Sequence, residues 1–259
     1  MCWPARWPAR WPSFPSVGGP ACLAAGLSGC AGPQSILDPA GPSAQAIAAV
    51  WWWMLGGATL VLLGVVCIWL LAMWRKRLTP ALPSDSEAAR SAQRWIVGGG
   101  VVLPVVAITA LLVFGTSAGQ HQLPLPAAWP SAAGAAGLRI DVTGQQWWWS
   151  LHYPASGVRL RNELRLPVGR PVDIHVGSRD VIHSFWVPRL GGKLDAIPGR
   201  VGVLRLRADQ PGTFRGQCAE FCGLNHAHMV MTVIAMPAAE FDAWLAAQSA
   251  TNVSGAEND

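Results

Sequence analysis

Two long apolar runs followed by a series of short alternating ones divide this chain. Ile47 to Trp74 is almost unbroken apolar sequence, and Trp95 to Phe114 is a second apolar run of 20 residues. Each is long enough to cross the roughly 30 Å hydrocarbon core of a bilayer as a helix. Trp51, Trp52 and Trp53 open the first run and Trp69 and Trp74 close it, where interfacial aromatics belong. Pro104 lies inside the second, which membrane helices tolerate because neighbouring groups re-satisfy the freed backbone. The polar segment 75–94 between them holds five basic residues against two acidic ones. That excess puts it on the cytoplasmic side, so the pattern predicts a multi-pass protein with an antiparallel hairpin at 47–114 and both chain ends outside.

From Leu138 the period shortens to that of strands. Leu138–Thr143, Gln145–His152, Val158–Leu166, Pro171–Gly177, His183–Val187, Arg200–Ala208, Gly212–Gln217 and His228–Met236 have strand character. Turn formers separate them, among them Gly157, Pro167, Gly191-Gly192, Pro198-Gly199 and Pro211-Gly212. Many short strands at this spacing predict a β-sandwich or barrel. Pro237 is placed to start a last helix, Ala238–Gln248. The resulting division is 30–46 and 115–137 as linkers, 138–248 as one exported β domain and 249–259 as a disordered polar tail.

Composition agrees with membrane anchoring, with 51% hydrophobic and only 13% charged residues. Net charge is +5, and no basic run with interleaved aromatics points to nucleic acid. Residues 1–29 have the form of an export signal, with Arg6 and Arg10 ahead of a short apolar stretch. Leu27-Ser28-Gly29-Cys30 resembles a bacterial lipobox, which implies a lipoprotein signal and lipidation at Cys30. The repeat Trp3-Pro4-Ala5-Arg6, Trp7-Pro8-Ala9-Arg10 is unlike a signal and fits a misplaced start codon.

Chemistry is concentrated in Gly216-Gln217-Cys218-Ala219-Glu220-Phe221-Cys222-Gly223-Leu224-Asn225-His226-Ala227-His228-Met229. Thiols beside imidazole suit copper or zinc, and the thioether favours copper, where methionine serves as a weak ligand. Two cysteines set this loop apart from a single-thiolate blue-copper site, since two thiolates can bridge two ions. A Cys218–Cys222 disulfide and a zinc loop are the plain alternatives, although zinc loops usually space their cysteines more closely. His228 suits the surface or an outer layer of the site better than the metal.

Several stretches resemble cytochrome c oxidase subunit II in its bacterial, copper-containing form within the haem-copper oxidase family. They are Gly32-Pro33-Gln34-Ser35 with Leu37-Asp38-Pro39-Ala40-Gly41-Pro42, and Val142-Thr143-Gly144-Gln145-Gln146-Trp147-Trp148-Trp149. Asp180-Val181-Ile182-His183-Ser184-Phe185-Trp186-Val187-Pro188, Lys193-Leu194-Asp195-Ala196-Ile197-Pro198-Gly199 and the metal loop complete the set. The resemblance implies a membrane-anchored all-β protein, two helices followed by a cupredoxin-like Greek-key β-sandwich. It implies two copper ions in a CuA centre, bridged by Cys218 and Cys222. His183 and His226 would be the terminal ligands, with Met229 and the Glu220 backbone carbonyl as weak ones. It implies Trp147 as the residue through which electrons arrive, the Glu220 side chain toward a magnesium ion shared with the catalytic subunit, and Asp195 supporting that interface. The implied partners are subunit I (with haem and CuB), subunit III, cytochrome c and the lipid bilayer. The implied location is the bacterial inner membrane, with the CuA domain periplasmic. The implied reaction carries electrons from cytochrome c to haem in subunit I, where oxygen is reduced to water with proton pumping.

The chain departs from that pattern where Gln145 and Trp148 stand in place of His and Tyr. No Cys-x-x-Cys-His is present, so the donor is a separate protein. Asp85 and Glu87 are the acidic residues near the second run, and nothing local assigns them a proton-path role. Three rivals are a copper-free quinol oxidase subunit, which lacks the cysteines, a nitrous-oxide reductase, which needs a second histidine-rich domain, and a dithiol copper chaperone or redox lipoprotein, which does not need His183, His226 and Met229 together.

Overall fold

A computed structural model describes residues 32–78, 84–123 and 138–256. The signal 1–29, Cys30 and most of the 115–137 linker lie outside the described residues. Helix α1 spans Pro42–Leu78, starting ahead of the apolar run at Ile47. Pro42 is suited to a first helical turn, where its missing N–H is no loss. The small residues Ser43, Ala44 and Ala48 that follow are buried. The second long helix also begins early, at Asp85. Ser84 caps it, its N–H and hydroxyl both donating to the Glu87 carboxylate at 3.1 and 2.7 Å. That capping pair was legible in the sequence and marks the helix start inside the 75–94 segment. Helix α2 (Asp85–Val97) passes through a π-helical turn, Gly98–Val102, into α3 (Leu103–Gly119). Pro104 explains the widened turn, because its ring crowds the preceding turn and it brings no N–H. Pro42–Arg75 and Asp85–Gly119 are long and apolar enough to cross a membrane, and the most apolar stretch of each is not buried by protein.

The remaining strands form two five-stranded sheets facing each other, a cupredoxin-like sandwich. The first sheet has the order β3 (Val158–Arg161), β2 (Trp148–Tyr153), β1 (Leu138–Gln145), β5 (Val172–Ser178), β8 (Gly202–Leu206). The second has β4 (Glu163–Pro167), β10 (Val230–Met236), β9 (Gly212–Cys218), β6 (His183–Trp186), β7 (Lys193–Ala196). Alternation sorts side chains between core and surface. On β5, Val172, Ile174 and Val176 are buried while Asp173 and His175 face out. Trp149, Leu151, Leu164, Phe185 and Val233 fill the space between the sheets.

The expected single strand Val158–Leu166 is two strands in different sheets. Asn162 breaks it in the left-handed region, φ 54°, which asparagine tolerates better than most residues. Its carbonyl accepts the Thr232 N–H, its own N–H donates to Trp149 O, and its side-chain oxygen accepts the Trp149 N–H. The chain thereby leaves the edge of one sheet for the edge of the other. Strand β7 is four residues long and carried too little periodicity to be predicted.

The last helix, α4 (Ala238–Ala256), runs past Gln248 through part of the expected tail. Phe241 and Trp244 pack on Tyr153, ring centroids 6.4 and 5.7 Å away. The Tyr153 hydroxyl donates to the Arg165 carbonyl (2.9 Å) and accepts the Arg165 N–H (2.8 Å). Burial pushes this phenol above its ordinary pKa. Tyr153→Phe should therefore lower stability by about 1–3 kcal/mol, because it strands both backbone groups of one edge-strand residue, Arg165. Chemical denaturation checks this, and an unchanged midpoint would refute it.

The segment before α1 is pinned to the sandwich. Ala40 N–H donates to the Arg189 carbonyl and Asp209 N–H to the Ala40 carbonyl, both at 2.8 Å. Arg189 also binds the Asp38 carbonyl (2.6 Å) and carboxylate (2.8 Å). Gly41 sits so close to the Arg207 carbonyl that a side chain there would strike it.

Candidate metal centre

One end of the sandwich gathers its donors from two places. Strand β6 supplies His183, and the loop from β9 to β10 supplies the rest. Cys218 closes β9, and a short 3-10 turn, His226–His228, positions His226 and leads into Met229. Cys218 N–H donates to the Met229 carbonyl (2.9 Å), which closes the base of the loop.

Six donor atoms converge there. Cys218 Sγ lies 3.8 Å from Cys222 Sγ, 3.8 Å from His183 Nδ1 and 3.1 Å from the Glu220 carbonyl oxygen. Cys222 Sγ lies 3.6 Å from His226 Nδ1 and 3.8 Å from Met229 Sδ. Each sulfur thus has one imidazole and one weaker donor on its outer side. His183, Cys218 and Cys222 also meet the mutual distance needed to share one ion. Both cysteines are free thiols in this structure, their sulfurs 3.8 Å apart.

The set fits a soft or borderline metal. The Cys222 thiol is pushed up to about 12, first by burial and then by the charge of Cys218, and no Lys or Arg offsets this. Two buried thiols in contact become thiolates together only when a cation joins them. A His/Cys/Cys cluster with thioether and carbonyl beside it is compatible with copper.

Two residues not singled out in the sequence complete the site. Asp180 Oδ1 lies 2.8 Å from His183 Nε2, and its other oxygen accepts the Gln146 N–H at 2.7 Å. Burial opposes ionisation of Asp180, but the Gln146 N–H, the His183 ring and the Val181 N–H hold its carboxyl below the usual range. A carboxylate on the outer nitrogen fixes the tautomer and angle of a ligating imidazole. The Asp180-x-x-His183 spacing was the available signal. Gln146 Nε2 donates to the Cys222 carbonyl at 2.8 Å. Trp147 Nε1 donates to the same oxygen at 3.2 Å, so the half-buried indole lies directly on the loop. Gly144 is needed for close approach, since a side chain there would come within 2.8 Å of the His183 ring.

The other expected site residues lie further out. The Glu220 side chain is exposed and accepts only the neighbouring Phe221 N–H, at 3.1 Å. Asp195 is exposed on β7 opposite Ser184. His228 is exposed, as expected. Apolar side chains stand open around the site, Leu224 at 95% and Phe221 at 75% exposure, with Val181, Ile182 and Val201 nearby.

A family model described as cytochrome c oxidase subunit II, periplasmic domain, matches residues 156–236. The cytochrome c oxidase subunit 2 of Branchiostoma floridae is 34% identical over 172 residues, 58% of this chain and 69% of that protein. The chain belongs to the cytochrome c oxidase subunit II family. A bacterial subunit 2, from Alkalihalophilus pseudofirmus, is 35% identical over 235 residues, 86% of this chain and 65% of that protein. The chain thus spans slightly less than two-thirds of that relative. The crystal structure of the periplasmic domain of subunit II from Bradyrhizobium japonicum aligns at 34% identity, over 45% of this chain and 96% of that one, TM-score 0.43. Membership makes this chain kin to subunits of an oxidoreductase complex, and its two apolar helices agree with membrane anchoring of a subunit II.

Proposed function

We propose that this protein is the electron-accepting subunit of a cytochrome c oxidase. It takes electrons from cytochrome c at a binuclear CuA centre and passes them to haem in subunit I, where oxygen is reduced to water with proton pumping. The observation that carries this reading is the convergence of six donor atoms from β6 and one loop. Cys218 and Cys222 would hold the metal as thiolates shared between two ions, with the His183 and His226 imidazoles as terminal donors and Met229 and the Glu220 carbonyl as weak ones. When bound, such a centre supplies a one-electron couple with charge shared over two metals. The chain's part is to hold donors still. The sandwich fixes β6 against β9, and Asp180 orients His183. The Trp147 indole links the surface to the Cys222 carbonyl.

The remaining parts of the reading concern surroundings. The domain division of the chain, a lipoprotein signal, lipidation at Cys30, and a periplasmic site above a two-helix hairpin belong to it. So do docking of the exposed apolar rim on subunit I, contact with subunit III, and a magnesium ion near the Glu220 side chain with Asp195 supporting that interface.

Copper loading of the full-length chain in detergent tests the reading. About two coppers per chain with a mixed-valence EPR signal support it, while one copper, zinc, or an oxidised Cys218–Cys222 pair would move the assignment to a dithiol chaperone. Trp147→Phe keeps an aromatic ring but loses the bond to the Cys222 carbonyl. It should slow reduction by cytochrome c by about tenfold, an added barrier near 1.4 kcal/mol, with copper content unchanged. Stopped-flow absorbance checks this, and loss of copper in the variant would make Trp147 structural instead.

A further inference from the structure

The outer face of the first sheet is charged and its charges do not cancel. Cross-strand register places Arg159 beside His152, His152 beside Asp141, and Asp141 beside His175. The neighbouring row runs Arg139, Asp173, Arg205. Both carboxylates are already taken. Asp141 binds Arg139 at 2.7 Å, and Arg205 grips Asp173 with a two-pronged contact at 2.6 and 2.7 Å. Arg159 and Arg161 have no carboxylate within ion-pairing distance among the described residues.

Arg161 stands next to the tryptophan pair, and Arg159 lies two residues earlier on the same exposed row of β3, opposite His152. The Arg161 guanidinium lies over the Trp148 ring, 4.3 Å from its centroid, and Trp148 directly follows Trp147. On the opposite flank Arg179 reaches only the neutral Gln145 side chain, at 3.5 Å. Asp180 directly follows it and offsets it in part, its oxygens bonded to Gln146, Val181 and His183 and its side chain 32% exposed. The loop 219–229 adds one exposed carboxylate, Glu220.

Resting on the electron-accepting role proposed above, we infer that the donor docks an acidic face here. It is a c-type cytochrome whose exposed haem edge is ringed by carboxylates, and Arg159, Arg161 and Arg179 are the cations that guide it onto Trp147 and Trp148. Arginines on both sides of an aromatic platform, outnumbering the exposed carboxylates Asp180 and Glu220 beside it, repel a basic carrier and attract an acidic one. Such complementarity acts mainly on encounter rate and partner choice. Arg161 is well suited to this, since its stacked guanidinium is held in place and keeps its edge free to meet carboxylates.

The test uses the full-length copper-loaded chain in detergent and two c-type cytochromes, one acidic and one basic. Binding is read by titration, and reduction of the centre by stopped flow, at low and high ionic strength. The acidic carrier should bind more tightly, and its rate should fall about tenfold or more as salt rises. Combined Arg161→Glu and Arg179→Glu should reverse the preference, with Arg161→Gln giving an intermediate result that guards against misfolding. Tighter binding of the basic carrier at low salt would overturn the inference, as would salt dependence unchanged in the reversed variants. So would arginine-dependent binding of anionic vesicles with neither cytochrome bound. A chain that holds no copper yet binds the acidic carrier through these arginines would sink the electron-accepting role and leave the docking face standing.

Discussion

Cys222→Ser is expected to leave the protein folded and unable to hold the binuclear copper proposed above. Cys222 Sγ is the atom that touches both His226 Nδ1 and Met229 Sδ while facing Cys218 Sγ across 3.8 Å. A serine hydroxyl stays protonated where the metal needs an anion, and oxygen is a harder donor than sulfur. With one bridge gone, Cys218 is the single thiolate left to be shared by both halves of the site. Copper affinity should fall more than about 100-fold, beyond what loss of an orienting partner alone brings about. Metal analysis and the absorption spectrum measure it. Two coppers retained with an unchanged spectrum would remove Cys222 as a bridge. Cys218→Ser should act alike on the His183 side, since Cys218 Sγ lies 3.8 Å from His183 Nδ1.

Asp180→Ala should give the next largest effect, although Asp180 does not belong to the donor set. Its carboxylate holds His183 Nε2 at 2.8 Å and the Gln146 N–H at 2.7 Å, so one group sets both the imidazole and the turn before Trp147. Removing it frees the ring to rotate and leaves a buried nitrogen without its acceptor. Copper affinity should drop about 10- to 100-fold, measured by competition with a chelator. Asp180→Asn should fall between wild type and alanine, because an amide oxygen still accepts one bond but carries no charge. Wild-type affinity in the alanine variant would show that β6 alone orients His183.

The donors were legible because most of them sit in one short loop. Cys218, Cys222, His226 and Met229 are close in sequence, and their types narrow the metal without any tertiary knowledge. His183 needed the resemblance, since a lone histidine on a strand says little. Asp180 and Gln146 escaped notice because what they do depends on the β1–β2 turn meeting the β5–β6 turn, a contact between residues far apart in sequence. The long helices and most strands followed from apolar period. Asn162 hid a change of sheet inside an apparently single strand, because a left-handed residue leaves alternation on both sides intact. Early helix starts at Pro42 and Asp85 came from capping chemistry, which hydropathy does not register.

The pinned segment before α1 has a mechanical consequence. Ala40 is bonded into the sandwich on both sides, and the helix begins at Pro42. There is no slack between them, so α1 and the sandwich turn as one body and the donor cluster keeps one bearing about the helix axis. A single residue inserted within α1, after the buried Ala48, would turn the rest of the helix by about 100° relative to the sandwich, the rotation of one helical residue. In this design the compass heading of the donor cluster is written at the foot of the helix, well away from the donors themselves.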